Sequence, residues 1–322
     1  DIAANVTAQA GADGTWSASV TLDNANAANT LTATVTDAAG NTSTDLVVLT
    51  GDGTAPTVTI STTGVATNSE TQTIAGTVDS AHKGATVKIY EGDNLLTTVV
   101  SSSSDGSWSA TVPLSTDGSH TLTATAEDAV GNTDSATITY TLDTVAPVAV
   151  AVTSSDASSG YLNAADIDPV TLSVSGADTA EISSVKVYDA FGNSATATLD
   201  SGAYKFDPAG LSDGALRVEV TQTDTAGNVT TVENALTLTL DTSTEVTIAT
   251  SAGTVASTSQ TITGVAEAGS TVVVSGDIAA NVTAQAGADG TWSASVTLDN
   301  ANAANTLTAT VTDAAGNTST DL

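Results

Sequence analysis

Acidic residues stand at matching positions along this chain, and their type and spacing suit the ligation of a hard cation. Asp79 in "GTVDSAHKG", Asp105 in "SSDGSW" and Asp128 in "EDAVGN" follow Asp52 of the phrase "GDGTAP". Asp178 in "SGADTAE", Asp200 in "LDSG" and Asp224 in "TDTAGN" follow Asp143 of "LDTVAP". Glu267 in "GVAEAGS", Asp289 in "GADGTW" and Asp313 in "TDAAGN" follow Asp241 of "LDTSTE". Asp13 and Asp37 stand in a further "GADGTW" and "TDAAGN" near the start. Two carboxylates about 5 Å apart at an effective dielectric near 20 repel by roughly 3 kcal/mol, so a converging set is held by a cation or splays. Ca²⁺ accepts six to eight oxygens in flexible geometry, and Asn41, Asn132, Asn228 and Asn317 add amide oxygens nearby. Zn²⁺ fits poorly, because the chain has no Cys and only His82 and His120. The competing reading is that D-x-x-G-N is a tight hairpin whose Asp and Asn bond the backbone. "DAFGN" (189–193) has the same letters but is expected at the opposite end of its domain.

The elements that would position these acids are strands. In residues 57–147 seven period-two runs, from "TVTIST" to "SATITYTL", are separated by Gly, Asp and Asn turns. This predicts an all-β immunoglobulin-like sandwich, with no useful helical periodicity. Entering such a sandwich from one end places the loops after its second, fourth and sixth strands beside the preceding linker, which is where the acids fall. Trp16, Trp108 and Trp292 occupy one place in three units, in phase with small apolar residues, and read as core rather than as a sugar-stacking platform. Tyr204 is the expected counterpart in residues 148–245.

Repetition organises the whole. Residues 277–322 repeat residues 1–46 letter for letter at an offset of 276. The linker phrases divide the chain into 1–56, 57–147, 148–245 and 246–322. The expectation is a tandem array of sandwiches seen through a window that cuts the first and last units. The linkers hold no flexible Gly/Ser spacer, and Pro56 and Pro147 stiffen two of them.

Charge and composition narrow the function. Five Lys+Arg against 36 Asp+Glu give a net charge of −31, which excludes nucleic acid and anionic membrane as natural partners. The longest apolar runs, such as 145–152, are strand-sized, far short of the about 20 residues of a membrane span. There is no G-x-S-x-G, H-E-x-x-H or Cys nucleophile, so the chain is not read as an enzyme. A binding module for glycans or for other copies is the alternative, with "DNANAANT" (23–30, 299–306) as its recognition surface or, more plainly, a solvated loop.

"DTVAP", "DAAGN", "GADGTW" and "GVAEAGSTV" resemble the bacterial Ig-like repeats of giant type I-secreted, biofilm-associated adhesins. The resemblance covers essentially the whole chain, with "GYLNAADIDPVTLSVSGAD" marking a second subtype in 148–245. It implies an extracellular stalk on the bacterial surface, with Ca²⁺ stiffening the joints. The partners would be neighbouring repeats of the chain, with other adhesin copies or a surface ligand reached through other domains. "DTSTE" departs from the pattern in lacking the Pro of "DTVAP".

Overall fold

The computed structural model describes residues 2–23, 25–157, 159–176, 181–299 and 303–322. The chain forms two compact units, 1–144 and 145–322. It is all-β.

In the first unit, β1 (Ala28–Thr36) and β2 (Thr42–Thr50) form a nine-pair antiparallel hairpin. A sandwich follows, built from β3 (Val58–Ile60), β4 (Ala66–Thr67), β5 (Thr71–Val78), β6 (Thr86–Glu91), β7 (Asn94–Val100), β8 (Ser107–Pro113), β9 (Gly118–Glu127) and β10 (Thr133–Leu142). One sheet runs β3-β5-β8 and the other β4-β10-β9-β6-β7. All seven period-two runs are strands. The two-residue β4, parallel to β10, carries no periodicity that sequence could show. Alternation decides the faces: Trp108, Ala110 and Val112 of β8 point inward against Ile74, while the intervening Ser and Thr face water. Gly76 lies opposite Trp108, and a Cβ there would meet the Thr59 carbonyl oxygen at 1.8 Å and Trp108 Cζ2 at 2.7 Å. The glycine therefore makes room for the indole.

The second unit holds two sandwiches. The first comprises β11 (Ala151–Ser154), β12 (Tyr161–Leu162), β13 (Val170–Ser175), β14 (Ile182–Tyr188), β15 (Ser194–Thr196), β16 (Thr198–Asp200), β17 (Ala203–Phe206), β18 (Gly214–Thr223) and β19 (Val229–Leu240). Its sheets are β11-β13-β17-β16 and β12-β19-β18-β14-β15. Phe206, 2% exposed, is the buried aromatic here, whereas Tyr204 is half-buried opposite Leu172. Tyr204 packs half-buried against this core, on the same face of its strand as Phe206.

The second sandwich comprises β20 (Val246–Ile248), β21 (Ser259–Ala266), β22 (Thr271–Gly276), β23 (Val282–Gln285), β24 (Thr291–Thr297), β25 (Leu307–Thr312) and β26 (Thr318–Asp321), in sheets β20-β21-β24 and β23-β22-β25-β26. Gly264 again faces Trp292. Trp108 and Trp292 are 4% and 3% exposed, as expected of core residues, but Trp16 is 58% exposed.

Candidate metal centre

Three strand ends converge at the junction of the two sandwiches in the second unit. Asp241 follows β19, Glu267 follows β21 and Asp313 follows β25. One carboxylate oxygen from each lies within 4.8 Å of the others. Burial and then the charge of Asp313 push the Asp241 carboxyl above its ordinary value. Glu267, exposed over much of its side chain, is pushed up by partial burial and then by Asp241. No Lys, Arg or His occurs in residues 241–322, so the last sandwich and its linker supply no cationic side chain to neutralise the group.

Local chemistry orients Asp313. Gly316 and Asn317 N–H groups donate to its Oδ1 at 2.7 and 2.8 Å, and Asn317 Nδ2 donates to Oδ2 at 2.9 Å. Of about four acceptor sites on a carboxylate, one remains. Gly316 sits at φ +95°, a left-handed position that closes the turn. Asn317 Nδ2 also reaches the Asp241 carbonyl at 2.7 Å, tying the loop to the linker. From the preceding sandwich, Asn163 Nδ2 donates to the Ala315 carbonyl at 2.8 Å, and Ala164 N–H donates to Asn317 Oδ1 at 3.1 Å. Beside the acids, Thr244 Oγ1 is buried without a hydrogen bond of proper geometry, although it lies close enough to draw the Glu267 pKa back down. The donors are all hard oxygens, with the Thr244 hydroxyl beside them, a set that fits Ca²⁺ and not Zn²⁺.

Elsewhere the sequence-predicted acids are engaged otherwise. Asp289 does not join Glu267 and Asp313: its Oδ1 accepts from Thr291 N–H and Oγ1. Asp105 and Asp13 do the same with Ser107 and Thr15, so the D-G-[ST] acids cap their own turns. Asp128, Asp224 and Asp37 close D-x-x-G-N hairpins with Asn132, Asn228 and Asn41. Asp189 closes an identical one with Asn193 at the opposite end of its sandwich from Asp224. The hairpin reading is thus realised at every copy, and the motif alone does not mark a metal.

Around Asp52, the carbonyl accepts from Asn132 Nδ2 at 3.0 Å, as Asp241 accepts from Asn317, but the Asp52 carboxylate caps Thr54. Asp79, in the place of Glu267, is taken up by Thr57 N–H at 2.6 Å, Ala81 N–H and His82. Asp200 pairs with Lys205 at 2.7 Å. Asp143 follows β10 and donates its N–H to the Thr67 carbonyl. Asp178 lies outside the described residues. Among the described residues, the one grouping of three acids is therefore at "DTSTE", the linker that departs from the expected pattern. Sequence reasoning missed Thr244, which lies in the linker "LDTSTE", and the 163–164 segment, whose only signal is the "GYLNAADIDP" stretch of the second subtype. In "DNANAANT", Asn26 Oδ1 accepts from Gly53 N–H and Asn29 is fully buried, so both are structural.

Fold and site together define a tandem array of Ig-like sandwiches with an acidic, oxygen-rich joint. The profile described as "Bacterial Ig-like domain" matches residues 54–144 and 149–242, and that of "Bacterial Ig domain" matches 248–322. The chain belongs to the bacterial Ig-like domain family. No curated protein matches it. Among solved structures, it is similar to a Ca²⁺-stabilised adhesin that helps an Antarctic bacterium reach out and bind ice, at 27% identity over 92% of this chain and 80% of that one, with TM-score 0.45. It is also similar to a tetra-tandem repeat in the extending region of a large adhesion protein, at 26% identity, covering 98% and 85%, TM-score 0.37. A 1.5-MDa bacterial ice-binding adhesin aligns at 21% identity, covering 84% and 96%, TM-score 0.40. Among the described residues, no helix is long and apolar enough to cross a membrane.

Proposed function

We propose that the chain is an extender segment of a bacterial cell-surface adhesin, a structural rather than catalytic element whose units are the sandwiches bounded at 57–147, 148–245 and 246–322. It works outside the cell, with neighbouring repeats as its immediate partners. The observation that carries this reading is the convergence of Asp241, Glu267 and Asp313 from a linker and two loops with no cationic side chain in residues 241–322.

A bound Ca²⁺ would supply the positive charge the joint lacks. Asp241, Glu267 and Asp313 would hold it, with the Thr244 hydroxyl beside them. The chain's own residues do the rest. Asn317 holds the Asp313 loop to the linker, and Asn163 and Ala164 hold that loop to the preceding sandwich. Bending the joint would separate acids that share one ion, so calcium resists bending in proportion to its occupancy. Extracellular modules bind with Kd of about 10⁻⁴–10⁻³ M, a range suited to a permanently calcium-rich exterior.

Calorimetric titration of the full chain with CaCl₂ tests the site, and small-angle scattering with and without EDTA tests its mechanical role. Binding that Asp241→Asn with Glu267→Gln abolishes, together with a maximum dimension that changes on chelation, is expected. Absence of calcium binding at millimolar concentration would overturn the metal, and an unchanged maximum dimension would overturn the hinge.

A further inference from the structure

A loop side chain reaches across to each linker and caps its backbone. Asp213, in "LSDG" at the start of β18, accepts from Thr242 N–H at 3.1 Å and from Thr242 Oγ1 at 3.1 and 3.2 Å. Asp117, in "STDG" at the start of β9, does the same for Thr144, at 3.0 Å from N–H and 2.9 Å from Oγ1. Asn26, ahead of β1, accepts from Gly53 N–H at 2.6 Å and from Thr54 Oγ1 at 3.2 Å. In each case the capped amide belongs to the residue just after a linker aspartate: Asp241, Asp143 and Asp52. The N–H of the aspartate itself is taken up as well at two of them. Asp241 donates to the Leu162 carbonyl at 2.9 Å, and Asp143 donates to that of Thr67 at 3.0 Å.

We infer that Asp213 is a positioning residue for the joint: by capping Thr242 it fixes the backbone of Asp241, so that this carboxylate meets Glu267 and Asp313 where a calcium ion would sit. The inference rests on the calcium reading of that site. Asp241 lies between two peptide groups. The N–H of the first donates to Leu162, while the second is bonded at its carbonyl by Asn317 Nδ2 and at its N–H by Asp213. Leu162 and Asp213 belong to the preceding sandwich and Asn317 to the following one, which leaves Asp241 chiefly its side-chain torsions. A ligand whose backbone stayed free would have to give up that freedom on binding, at a cost in affinity. Asp213 has both carboxylate oxygens on Thr242 and stands outside the group of three acids. Its charge adds to the repulsion that raises the Asp241 carboxyl, so in the metal-free joint its benefit lies in the cap. Asn26 shows that an amide oxygen makes the same cap without the charge.

Two variants of the full chain test this, read by calorimetric titration with CaCl₂ and by exchange of the Thr242 amide in EDTA. Asp213→Ala removes cap and charge together, whereas Asp213→Asn removes the charge alone. Asp213 is exposed, so neither change disturbs the core. Asp213→Asn is expected to keep Thr242 protected and to bind calcium within about threefold of the parent, the effect of one screened charge. Asp213→Ala is expected to speed Thr242 exchange by about tenfold and to bind at least about fivefold more weakly than Asp213→Asn. Equal weakening in the two variants would overturn the inference, because Asp213 would then act through its charge. An unchanged Kd in Asp213→Ala would overturn it too, and both of these results leave the calcium reading standing. A parent chain that binds no calcium overturns that reading, and the inference with it.

Discussion

Asn317 Nδ2 donates to the backbone carbonyl of Asp241 at 2.7 Å, joining the loop of one sandwich to the linker that enters it. The same amide donates to Asp313, and its oxygen accepts from Ala164 N–H of the preceding sandwich. One side chain thus couples three segments that local chemistry alone would leave separate. Asn132 repeats the first bond to Asp52 at 3.0 Å.

Asn317→Ala is expected to release the joint without unfolding either sandwich. Exchange of the Ala164 amide should accelerate about tenfold or more, the equivalent of one lost hydrogen bond. Asn193→Ala breaks the same turn at Asp189, away from the joint, and should leave Ala164 unchanged. Equal effects in both variants would show that Asn317 serves its own turn alone.

Glu267→Gln removes one of three mutually repelling charges. In EDTA the variant should be more stable than the parent by about 1 kcal/mol, a Coulomb term discounted for the exposure of Glu267. In millimolar calcium the order should reverse, because the parent gains binding energy that the variant has lost. Urea titrations under the two conditions measure both signs.

The 57–144 sandwich carries two titrations of opposite sign. Thr57 N–H and His82 hold the Asp79 carboxyl down to about 2 from 3.8, against partial burial. Its contribution is complete above pH about 4 and is lost as the pH falls toward 2. His120, 5% exposed, is raised above 6.5, first by the Thr116 carbonyl and then by Glu91, with burial opposing. That contribution is present below pH 6.5 and disappears as the pH rises through the folded value. Thermal melts should show Asp79→Asn flattening the acid limb and His120→Gln flattening the alkaline one.

Gly76→Ala places a methyl group 1.8 Å from the Thr59 carbonyl oxygen and 2.7 Å from the Trp108 ring. Neither backbone nor a buried indole can yield cheaply, so a loss of about 3 kcal/mol or more is expected. Gly264→Ala should behave alike, with the Thr247 carbonyl at 1.9 Å and Trp292 at 2.6 Å. Gly84→Ala, where a Cβ meets nothing within 4 Å, separates this crowding from the strain of φ +86°.

The amino-acid sequence by itself determined the turns, the strand alternation and the repeat. D-x-x-G-N closes with the same hydrogen bonds at Asp37, Asp128, Asp189, Asp224 and Asp313, whatever surrounds it, because every bond spans four residues or fewer. Tertiary structure alone decided which of those aspartates meets other acids. Asp241 and Asp313 are 72 residues apart by subtraction of their numbers, and their approach depends on sheet pairing and on the 163–164 segment of another sandwich. The twin segments show the division most directly: both copies keep their turns, yet Trp292 is buried and Trp16 is not. A turn satisfies its own backbone, whereas a strand and its core face need a partner from elsewhere in the chain.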